Sequence, residues 1–463
     1  MSILGAAAVP HPPIILPEVG RGEEQKISAT IDAYNEISRR IVALEPETII
    51  ITSPHSIMYS DYFHISPGEG ATGNLAQFHA PQVALAVNYD TDFVRKLSAD
   101  SLSAKISAGT LGERNSLLDH GTIIPLRFLQ LAGLDFDKVK FLRIGLSGMS
   151  NDIHYKFGQL IARVADELNR KIFFIASGDL SHKLEGSHYG TVPEGAQFDS
   201  EVMENLGGAD FLKLLTMDNK LCNRAAECGL RSFWIMAGAL DKKAVRAEKL
   251  SYEGTFGVGY GIVYFNIEGD DPNRDFDHQL MKFKQSESEK RKASEDDYVK
   301  LARYSLETFV KTKKPAAIPA NLPAELMNRR AGAFVSLHKD GNLRGCIGTI
   351  MATRDNLAEE ILQNAISACS RDPRFEPVEI DELDHIEYSV DVLGEPERIF
   401  STKDLDVKRY GVIVENEGRR GLLLPDLEGV DTVEEQIAIA KRKAGIRPEE
   451  KVSLWRFEVI RHH

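Results

Sequence analysis

Cysteine is scarce in this chain, with four residues among 463: Cys222, Cys228, Cys346 and Cys369. Their spacing matches neither a zinc finger nor a disulfide framework, which argues against a small cross-linked secreted protein. The sequence also lacks an apolar run long enough to span a membrane, and its N-terminus has no basic segment before an apolar core. We therefore expect a protein of the reducing cytoplasm, without a signal peptide.

The chain also has fewer basic than acidic residues. It contains 56 Lys and Arg residues and 69 Asp and Glu residues, which gives a net charge of -13 at pH 7. An acidic chain does not favour nucleic acid or an anionic membrane as a partner. The composition is otherwise that of a globular protein, 43% hydrophobic and 27% charged, and the length suffices for two or three domains.

One charged stretch, residues 269–296, divides two ordered patterns and is poor in β-branched residues. We predict a first domain over residues 1–268, a charged linker over 269–296 and a second domain over 297–463. These boundaries rest on the change in composition alone.

Strand-like runs alternate with helical spacing in the predicted first domain. Short apolar or β-branched runs occur at Thr48–Thr52, Val139–Leu146 and Lys171–Ala176, and a small apolar run precedes Pro10. Residues 31–44 have helical spacing. The alternation predicts an α/β fold in which helices cover a largely parallel sheet. Functional residues of such sheets collect at the carboxyl ends of the strands.

The predicted second domain mixes helices and strands, so we expect a smaller α+β domain. The predicted elements are a helix at Tyr298–Thr312, a hairpin of Ala333–Leu337 with Leu343–Ile350, a helix at Asn356–Cys369, a strand at Glu387–Leu393 and a helix opened by the capping box of Thr432 and Glu435.

Histidine follows three strand-like runs of the first domain: His11, His55 and His182. Prolines flank His11 and restrict its backbone, and a fourth histidine, His120, lies in the segment LDHGT. Because the carboxyl ends of parallel strands share one edge, we expect the three imidazoles to converge. Two His and one carboxylate suit non-haem Fe(II), and the same ligands suit Zn(II) in a hydrolase. A further His outside the ligand set can act as acid and base.

These segments resemble the class III extradiol dioxygenase superfamily (LigB-type) and its Memo branch. The matching segments are VPHPP at His11, SPHS at His55, LDHGTIIPL at His120, GDLSH at His182 and RAAECGLRSFWIMAGAL near Glu227. The resemblance implies that His11 and His55 bind a metal. It also implies that His182 is the catalytic acid and base and that His120 lines the substrate side.

The resemblance gives two candidates for the third metal ligand. Ring-cleaving dioxygenases have a glutamate at this position and Memo proteins a cysteine, and this chain has both as Glu227-Cys228. A glutamate is the better match to a ring-cleaving iron site, so we predict Glu227, with Cys228 as the alternative. A free cysteine is otherwise usually a small buried hydrophobe. Glu253 is a further candidate, for which a solvated carboxylate is the more ordinary interpretation.

The second domain resembles the AMMECR family through LRGCIG at residues 343–348, SRDPRF at 370–375 and LLLPD at 422–426. The resemblance brings a fold and little chemistry. Arg344 could bind a carboxylate or phosphate, and Cys346 could be a reactive thiol. The alternative is a tightly packed strand and turn, in which Gly345 and Gly348 allow a close approach.

A Memo-like domain joined to an AMMECR domain resembles a component of the AmmeMemoRadiSam system, which implies a radical S-adenosylmethionine (radical SAM) partner. The chain has no three-cysteine iron–sulfur cluster motif, so it is not that enzyme itself. We expect an Fe(II)-dependent dioxygenase-like enzyme acting on a small molecule such as an aromatic diol. The alternatives are a metal-binding accessory protein without oxygenase activity, which could hold iron, copper or zinc, and a zinc hydrolase.

Overall fold

The computed structural model describes residues 2–339, 341–427 and 429–463. The chain forms two compact units that divide between Lys282 and Phe283. Among the described residues, no helix is long and apolar enough to cross a membrane.

The first unit is built on a twisted, largely parallel sheet. Its strands are β1 (Ile3–Val9), β2 (Thr48–Ser53), β3 (Phe63–His64), β4 (Gly70–Leu75), β5 (Ala80–Asn88), β6 (Ala108–Gly109), β7 (Lys140–Gly145), β8 (Ile172–Ser177), β9 (Lys243–Glu253) and β10 (Tyr260–Asp270). The main sheet has the order β7-β2-β8-β1-β10-β9. The first four strands of this order are parallel, and β10 and β9 extend the sheet in antiparallel pairs. β4 and β5 form a separate hairpin.

Helices cover both faces of this sheet. They are α1 (Pro17–Gly20), α2 (Ser28–Ala43), α3 (Thr91–Ser103), α4 (His120–Leu131), α5 (Asn151–Glu167), α6 (Pro193–Gly207), α7 (Phe211–Leu215), α8 (Asn219–Ala225) and α9 (Leu230–Ala239). Alternate residues of β1 pack into opposite cores, Ala6 and Ala8 on one face and Ala7 and Val9 on the other. A strand buried on both faces is apolar throughout, as the sequence pattern required. The predicted α/β architecture is confirmed.

The second unit is a curled antiparallel sheet with helices. Its elements are α11 (Asp297–Thr312), α12 (Ala324–Asn328), β11 (Ala333–Lys339), β12 (Asn342–Gly348), α13 (Leu357–Ser370), β13 (Ile386–Leu393), β14 (Glu397–Ile399), β15 (Tyr410–Asn416), β16 (Arg419–Leu423), α14 (Val433–Lys443) and β17 (Ser453–His462), preceded by α10 (Phe276–Ser294). The strand order is β12-β11-β13-β17-β15-β16, with β14 also beside β17. The capping box of Thr432 and Glu435 opens α14. The predicted α+β class is confirmed.

The stretch predicted as a linker contains α10, and the division between the two units falls inside this helix. Phe276 and Leu280 are buried in the core of the first unit. In the second unit, Ser288 donates a hydrogen bond to the carbonyl of Asp384, and Arg291 pairs with Glu387. The domain boundaries at 268 and 297 stay a prediction.

Candidate functional site

Three neighbouring strands end at the same edge of the first sheet. β8 lies between β2 and β1, all three run parallel, and Ser177 at the end of β8 pairs with Val9 at the end of β1. His11 lies two residues beyond β1, His55 two beyond β2 and His182 five beyond β8. The topology therefore delivers all three histidines to one edge, as expected for a parallel sheet.

His11 is held by hydrogen bonds that fix its tautomer. Its side chain is buried, its backbone N–H donates to Asp179 Oδ1 at 2.7 Å, and its Nδ1 lies 2.9 Å from Ser177 Oγ. The hydroxyl of Ser177 donates its proton to the carbonyl of Gly121 at 2.6 Å. Because the hydroxyl has one proton to give, Nδ1 of His11 must be the donor, which leaves Nε2 with a free lone pair. This is the tautomer of a metal-binding histidine.

Three imidazoles converge at this point. Nε2 of His11 lies 3.0 Å from Nε2 of His55, and the rings of His55 and His120 are 4.0 Å apart between centroids. One ligand atom from each of the three lies within 4.8 Å of the others. Burial, together with the charge of His55, lowers the pKa of both His11 and His120 to about 3. Both rings are therefore neutral at pH 7, the form that binds metals.

Cys228 completes a second group around His11. Its Sγ lies 3.7 Å from Nε2 of His11 and accepts a hydrogen bond from the backbone N–H of Asp179 at 3.3 Å. Ligand atoms of His11, Asp179 and Cys228 all lie within 4.8 Å of one another. Burial, and then the charge of Asp179, raises the pKa of the thiol well above its usual value. A thiolate here would therefore require a cation beside it, which a bound metal would supply.

Glu227 lies next to Cys228 in sequence, but its carboxylate has a different partner. Glu227 Oε2 accepts a hydrogen bond from the backbone N–H of Leu230 at 2.6 Å, at the start of α9, and burial raises the pKa of the carboxyl. Glu253 Oε2 is similarly engaged by the backbone and hydroxyl of Thr30, at 2.8 and 2.6 Å. Neither glutamate belongs to the groups of converging ligand atoms found among the described residues. Of these candidates, Cys228 belongs to such a group, with His11 and Asp179, whereas the residue grouped with both His11 and His55 is His120.

His182 lies at the same edge but outside these groups of ligand atoms. Burial lowers its pKa, the charge of Asp179 raises it, and the charge of His55 lowers it again. Its ring stacks on Tyr189 with a centroid separation of 6.0 Å. A titratable ring that is coupled to the site without sharing its ligand set has the placement expected of an acid and base.

A cavity of about 770 Å³ adjoins the histidines and is lined by His55 and His120. Arg143, on β7, also lines it. Sequence reasoning missed Arg143, although a charged residue inside the apolar run KFLRIGL was a visible signal. It also missed Asp179 and Ser177, which lie in or beside the segment that carries His182.

Two family models match this sequence. The model of the catalytic LigB subunit of aromatic ring-opening dioxygenase matches residues 5–263, and the AMMECR1 model matches residues 299–462. This chain is a member of the LigB family. It joins a LigB domain to an AMMECR1 domain, as the sequence predicted.

Relatives match this chain over its whole length or over part of it. "Protein CA_C1420" of Clostridium acetobutylicum is 41% identical over 100% of this chain and 99% of its own length. A Thermotoga maritima protein is 56% identical over 36% of this chain and 98% of its own length. The crystal structure of an uncharacterized protein, PH0010 from Pyrococcus horikoshii, has 34% identity, covers 35% of this chain and 88% of that chain, and gives a TM-score of 0.34.

In the AMMECR1 domain, the polar residues of LRGCIG are occupied by protein partners. Arg344 pairs with both carboxylate oxygens of Glu382, at 2.9 and 2.8 Å. The thiol of Cys346 accepts from the hydroxyl of Ser336 at 3.2 Å, and its backbone N–H donates to Asp372 Oδ2 at 2.9 Å. These contacts favour the interpretation of this segment as a packed strand.

The two glycines of LRGCIG have a packing role. A Cβ on Gly345 would lie 2.4 Å from the carbonyl oxygen of Ala368, and one on Gly348 would lie 2.5 Å from that of Ala333. Real Cβ atoms do not approach so closely, so both glycines are needed for backbone contact. The close approach that the sequence predicted is therefore made by backbone.

Proposed function

We propose that the LigB domain is a metal-dependent enzyme of the ring-opening dioxygenase type, with Fe(II) as its metal and a small organic substrate in the adjoining cavity. The observation that carries this proposal is the 3.0 Å approach of the Nε2 atoms of His11 and His55, beside the Cys228 thiol. The lone pair of His11 is aimed at this point by Ser177.

The donor set fits a transition metal. Imidazole and thiolate ligands suit Fe(II), Zn(II) and copper, whereas Mg²⁺ and Ca²⁺ prefer oxygen. His11, which is common to both groups of ligand atoms, would hold the ion with His55 from the first group and Cys228 from the second, and His120 of the first group would stand on the cavity side. Bound Fe(II) would supply redox and Lewis-acid chemistry to a substrate in the cavity.

The chain's own residues supply the remaining functions. A ring nitrogen of His182 accepts a proton from a substrate hydroxyl and later returns that proton to the substrate. The hydrogen bonds that His11 donates to Ser177 and Asp179 hold its ring in place, so metal binding requires little further ordering.

A second candidate function is a metal-binding accessory protein that assists a radical SAM partner and has no oxygenase activity. The observation in its favour is the Cys228 thiol beside Nε2 of His11, since the resemblance implies a carboxylate ligand in ring-cleaving iron sites. The change from two His and one carboxylate to two His and one thiolate alters the metals that fit the site. A zinc hydrolase on the same ligands is the remaining alternative.

Metal content tests the ligand set. The full chain would be purified anaerobically and its metals measured, alongside folded variants. We expect His11→Ala, His55→Ala and Cys228→Ala to lose most bound metal, because each removes a ligand. Glu227→Gln and His182→Ala should retain it, as should the control His278→Ala, which changes an exposed histidine. Retention by Cys228→Ala with loss by Glu227→Gln would reverse the choice of third ligand.

Oxygen uptake tests the reaction. The iron-loaded chain would be offered a panel of aromatic diols, and oxygen consumption would be recorded. We expect consumption with at least one diol, and its loss in His182→Ala while iron stays bound. If the iron-loaded chain consumes no oxygen with any diol, the dioxygenase proposal fails and the accessory function is favoured. Zinc as the native metal with hydrolysis of an ester panel would favour the hydrolase.

A further inference from the structure

Arg143 is a buried cation in the wall of the cavity. It lies in the middle of β7, is 2% exposed, and lines the 770 Å³ cavity together with His55 and His120. A charged side chain inside a parallel sheet carries a large desolvation cost unless its charge is matched. The role of Arg143 therefore depends on which groups offset the charge of its guanidinium.

The protein matches this charge only in part. Nε of Arg143 donates to Ser66 Oγ at 2.7 Å and Nη1 donates to the carbonyl of Leu117 at 2.7 Å, and both acceptors are neutral. Within 4.0 Å the described residues offer a single carboxylate, Asp119, whose Oδ2 is 3.9 Å from Nη1. This exceeds a hydrogen-bond distance. No described residue accepts a hydrogen bond from Nη2.

Asp119 is also committed elsewhere. Its Oδ1 accepts from the hydroxyl of Ser53 at 2.5 Å and from the backbone N–H of Thr122 at 3.0 Å, and its Oδ2 accepts from the hydroxyl of Thr122 at 2.9 Å. These bonds cap α4 and hold the segment that carries His120. The Asp119 carboxylate therefore offsets part of the guanidinium charge from 3.9 Å but has its hydrogen bonds with other groups.

We propose that this cavity binds an anionic small molecule, a carboxylate or a phosphate monoester, with Arg143 as the cation that anchors its charged end. The guanidinium fork matches the two oxygens of either group. Where the proposed function also holds, the remainder of the molecule reaches His55 and His120, so the substrate of the LigB domain is an acid or a phosphate ester.

The rest of the cavity suits such a molecule. Hydrogen-bonding side chains of Thr72, Asn74 and Gln77 come from the β4–β5 hairpin, and Asn115 comes from the segment before α4. Leu85 and Leu118 supply apolar surface. The wall also includes the Asp119 carboxylate, which makes no hydrogen bond to Arg143, and its amides, hydroxyls and partly matched cation favour a polar ligand over a hydrocarbon.

The test compares ligands that differ in charge but little in shape. Benzoate, phenyl phosphate and the uncharged benzamide would be titrated calorimetrically into the full chain, both metal-loaded and after chelator treatment. We expect benzoate or phenyl phosphate to bind at least ten-fold more tightly than benzamide in both states. The preferred anion distinguishes a carboxylate substrate from a phosphate ester. Equal binding of all three ligands, or no anion binding at millimolar concentration, would overturn the proposal.

Variants of Arg143 test whether this residue causes the preference for anions. Arg143→Gln should abolish the preference for anions over benzamide, and Arg143→Lys should retain part of it, because the charge remains without the fork. Arg95→Gln, which changes an exposed arginine, is the matched control. If Arg143→Gln does not fold, the ligand comparison on the unchanged chain still decides the matter.

The metal states separate this proposal from the proposed function. Anion binding that appears only after metal loading would assign the anion to the metal and overturn the role of Arg143, while the metal site stands. Anion binding that persists in the chelated chain supports Arg143, even if the His11 and His55 variants show that no metal is held there.

Discussion

Two arginines in this molecule have opposite surroundings. Arg344 of the AMMECR1 domain makes a two-point pair with Glu382 and donates a further bond to the carbonyl of Glu376. Arg143 of the LigB domain has only neutral hydrogen-bond acceptors. A charge with a full set of protein partners stabilises the fold, whereas a buried charge without them is available to a ligand. The sequence singled out Arg344 for binding, but the structure singles out Arg143.

Two cysteines repeat this difference. Cys228 lies beside the lone pair of His11, where a cation would stabilise its thiolate. Cys346 lies on β12, where its partner is the hydroxyl of Ser336. The first thiol belongs to a group of potential metal ligands and the second to a packed strand.

The largest effect is expected when the carboxylate partner of Arg344 is removed, which tests whether this pair stabilises the fold. Glu382→Ala would leave Arg344 and Lys339 without their shared carboxylate, and we expect it to lower the free energy of unfolding by about 3 kcal/mol. The measurement is denaturant unfolding followed by Trp455 fluorescence in a Trp234→Phe background. The control is Glu287→Ala, which removes an exposed pair with Lys290 and should cost less than about 0.5 kcal/mol. A loss no larger than the control's would show that Arg344 is free to bind a ligand.

Acid should weaken the AMMECR1 domain through the same network. Hydrogen bonds from Arg374 lower the pKa of Asp372 to about 2. Burial acts to raise the pKa of Glu382, but bonds from Arg344 and Lys339 outweigh it and lower the pKa to about 2. Both carboxyls have pKa values near 4 in the unfolded chain, so their stabilisation is complete above about pH 5 and is lost as the pH falls toward 2.

We expect a loss of roughly 2 kcal/mol between pH 5 and pH 3 from these two groups. The combined variant Asp372→Asn with Glu382→Gln should be less stable at pH 6 and should show a shallower dependence on acid. Unfolding curves at several pH values, again followed by Trp455, measure both quantities. An unchanged slope in the variant would assign the acid sensitivity to other carboxyls.

Gly73 tests the wall of the cavity. A Cβ at this position would lie 2.6 Å from both Cβ and the carbonyl oxygen of Leu118, so Gly73→Ala must displace the segment that includes Leu117, an acceptor of Arg143. We expect a loss of about 1–2 kcal/mol in stability and weaker binding of benzoate. Gly208→Ala, whose Cβ would meet only the Glu204 oxygen at 3.4 Å, should be close to neutral. Unchanged benzoate affinity in a folded Gly73→Ala chain would show that this part of the cavity wall does not contribute to anion binding.

The smallest effect is expected at Cys346. Cys346→Ala removes one weak hydrogen bond to sulfur and should cost within about 1 kcal/mol, with no change in metal content. Metal analysis and unfolding of the variant check both points. A loss of metal in Cys346→Ala would contradict the separate roles assigned to the two cysteines.

Much of the fold could be predicted from the sequence because periodicity is a local property. The runs at Thr48–Thr52 and Lys171–Ala176 correspond to β2 and β8, and the pattern at Tyr298–Thr312 corresponds to α11. The rule that parallel strands share a carboxyl edge was then enough to place His11, His55 and His182 at one edge of the sheet. The imidazoles whose ligand atoms converge there are those of His11, His55 and His120. The role of each residue stays a prediction.

The sequence by itself determined the two families, the two fold classes and the strand ends that carry histidine. Each of these depends on motifs or hydrophobic periodicity among residues that are close in sequence. Only the tertiary structure distinguishes the surroundings of Glu227 from those of Cys228. A Cβ on Gly178 would lie 2.1 Å from Cα of Gly229, so the segment before α9 packs directly on the end of β8. That approach brings Cys228 to His11, while Glu227 binds the backbone of Leu230. The partly matched charge of Arg143 likewise arises from long-range packing, since its hydrogen-bond partners come from segments 77 and 26 residues away.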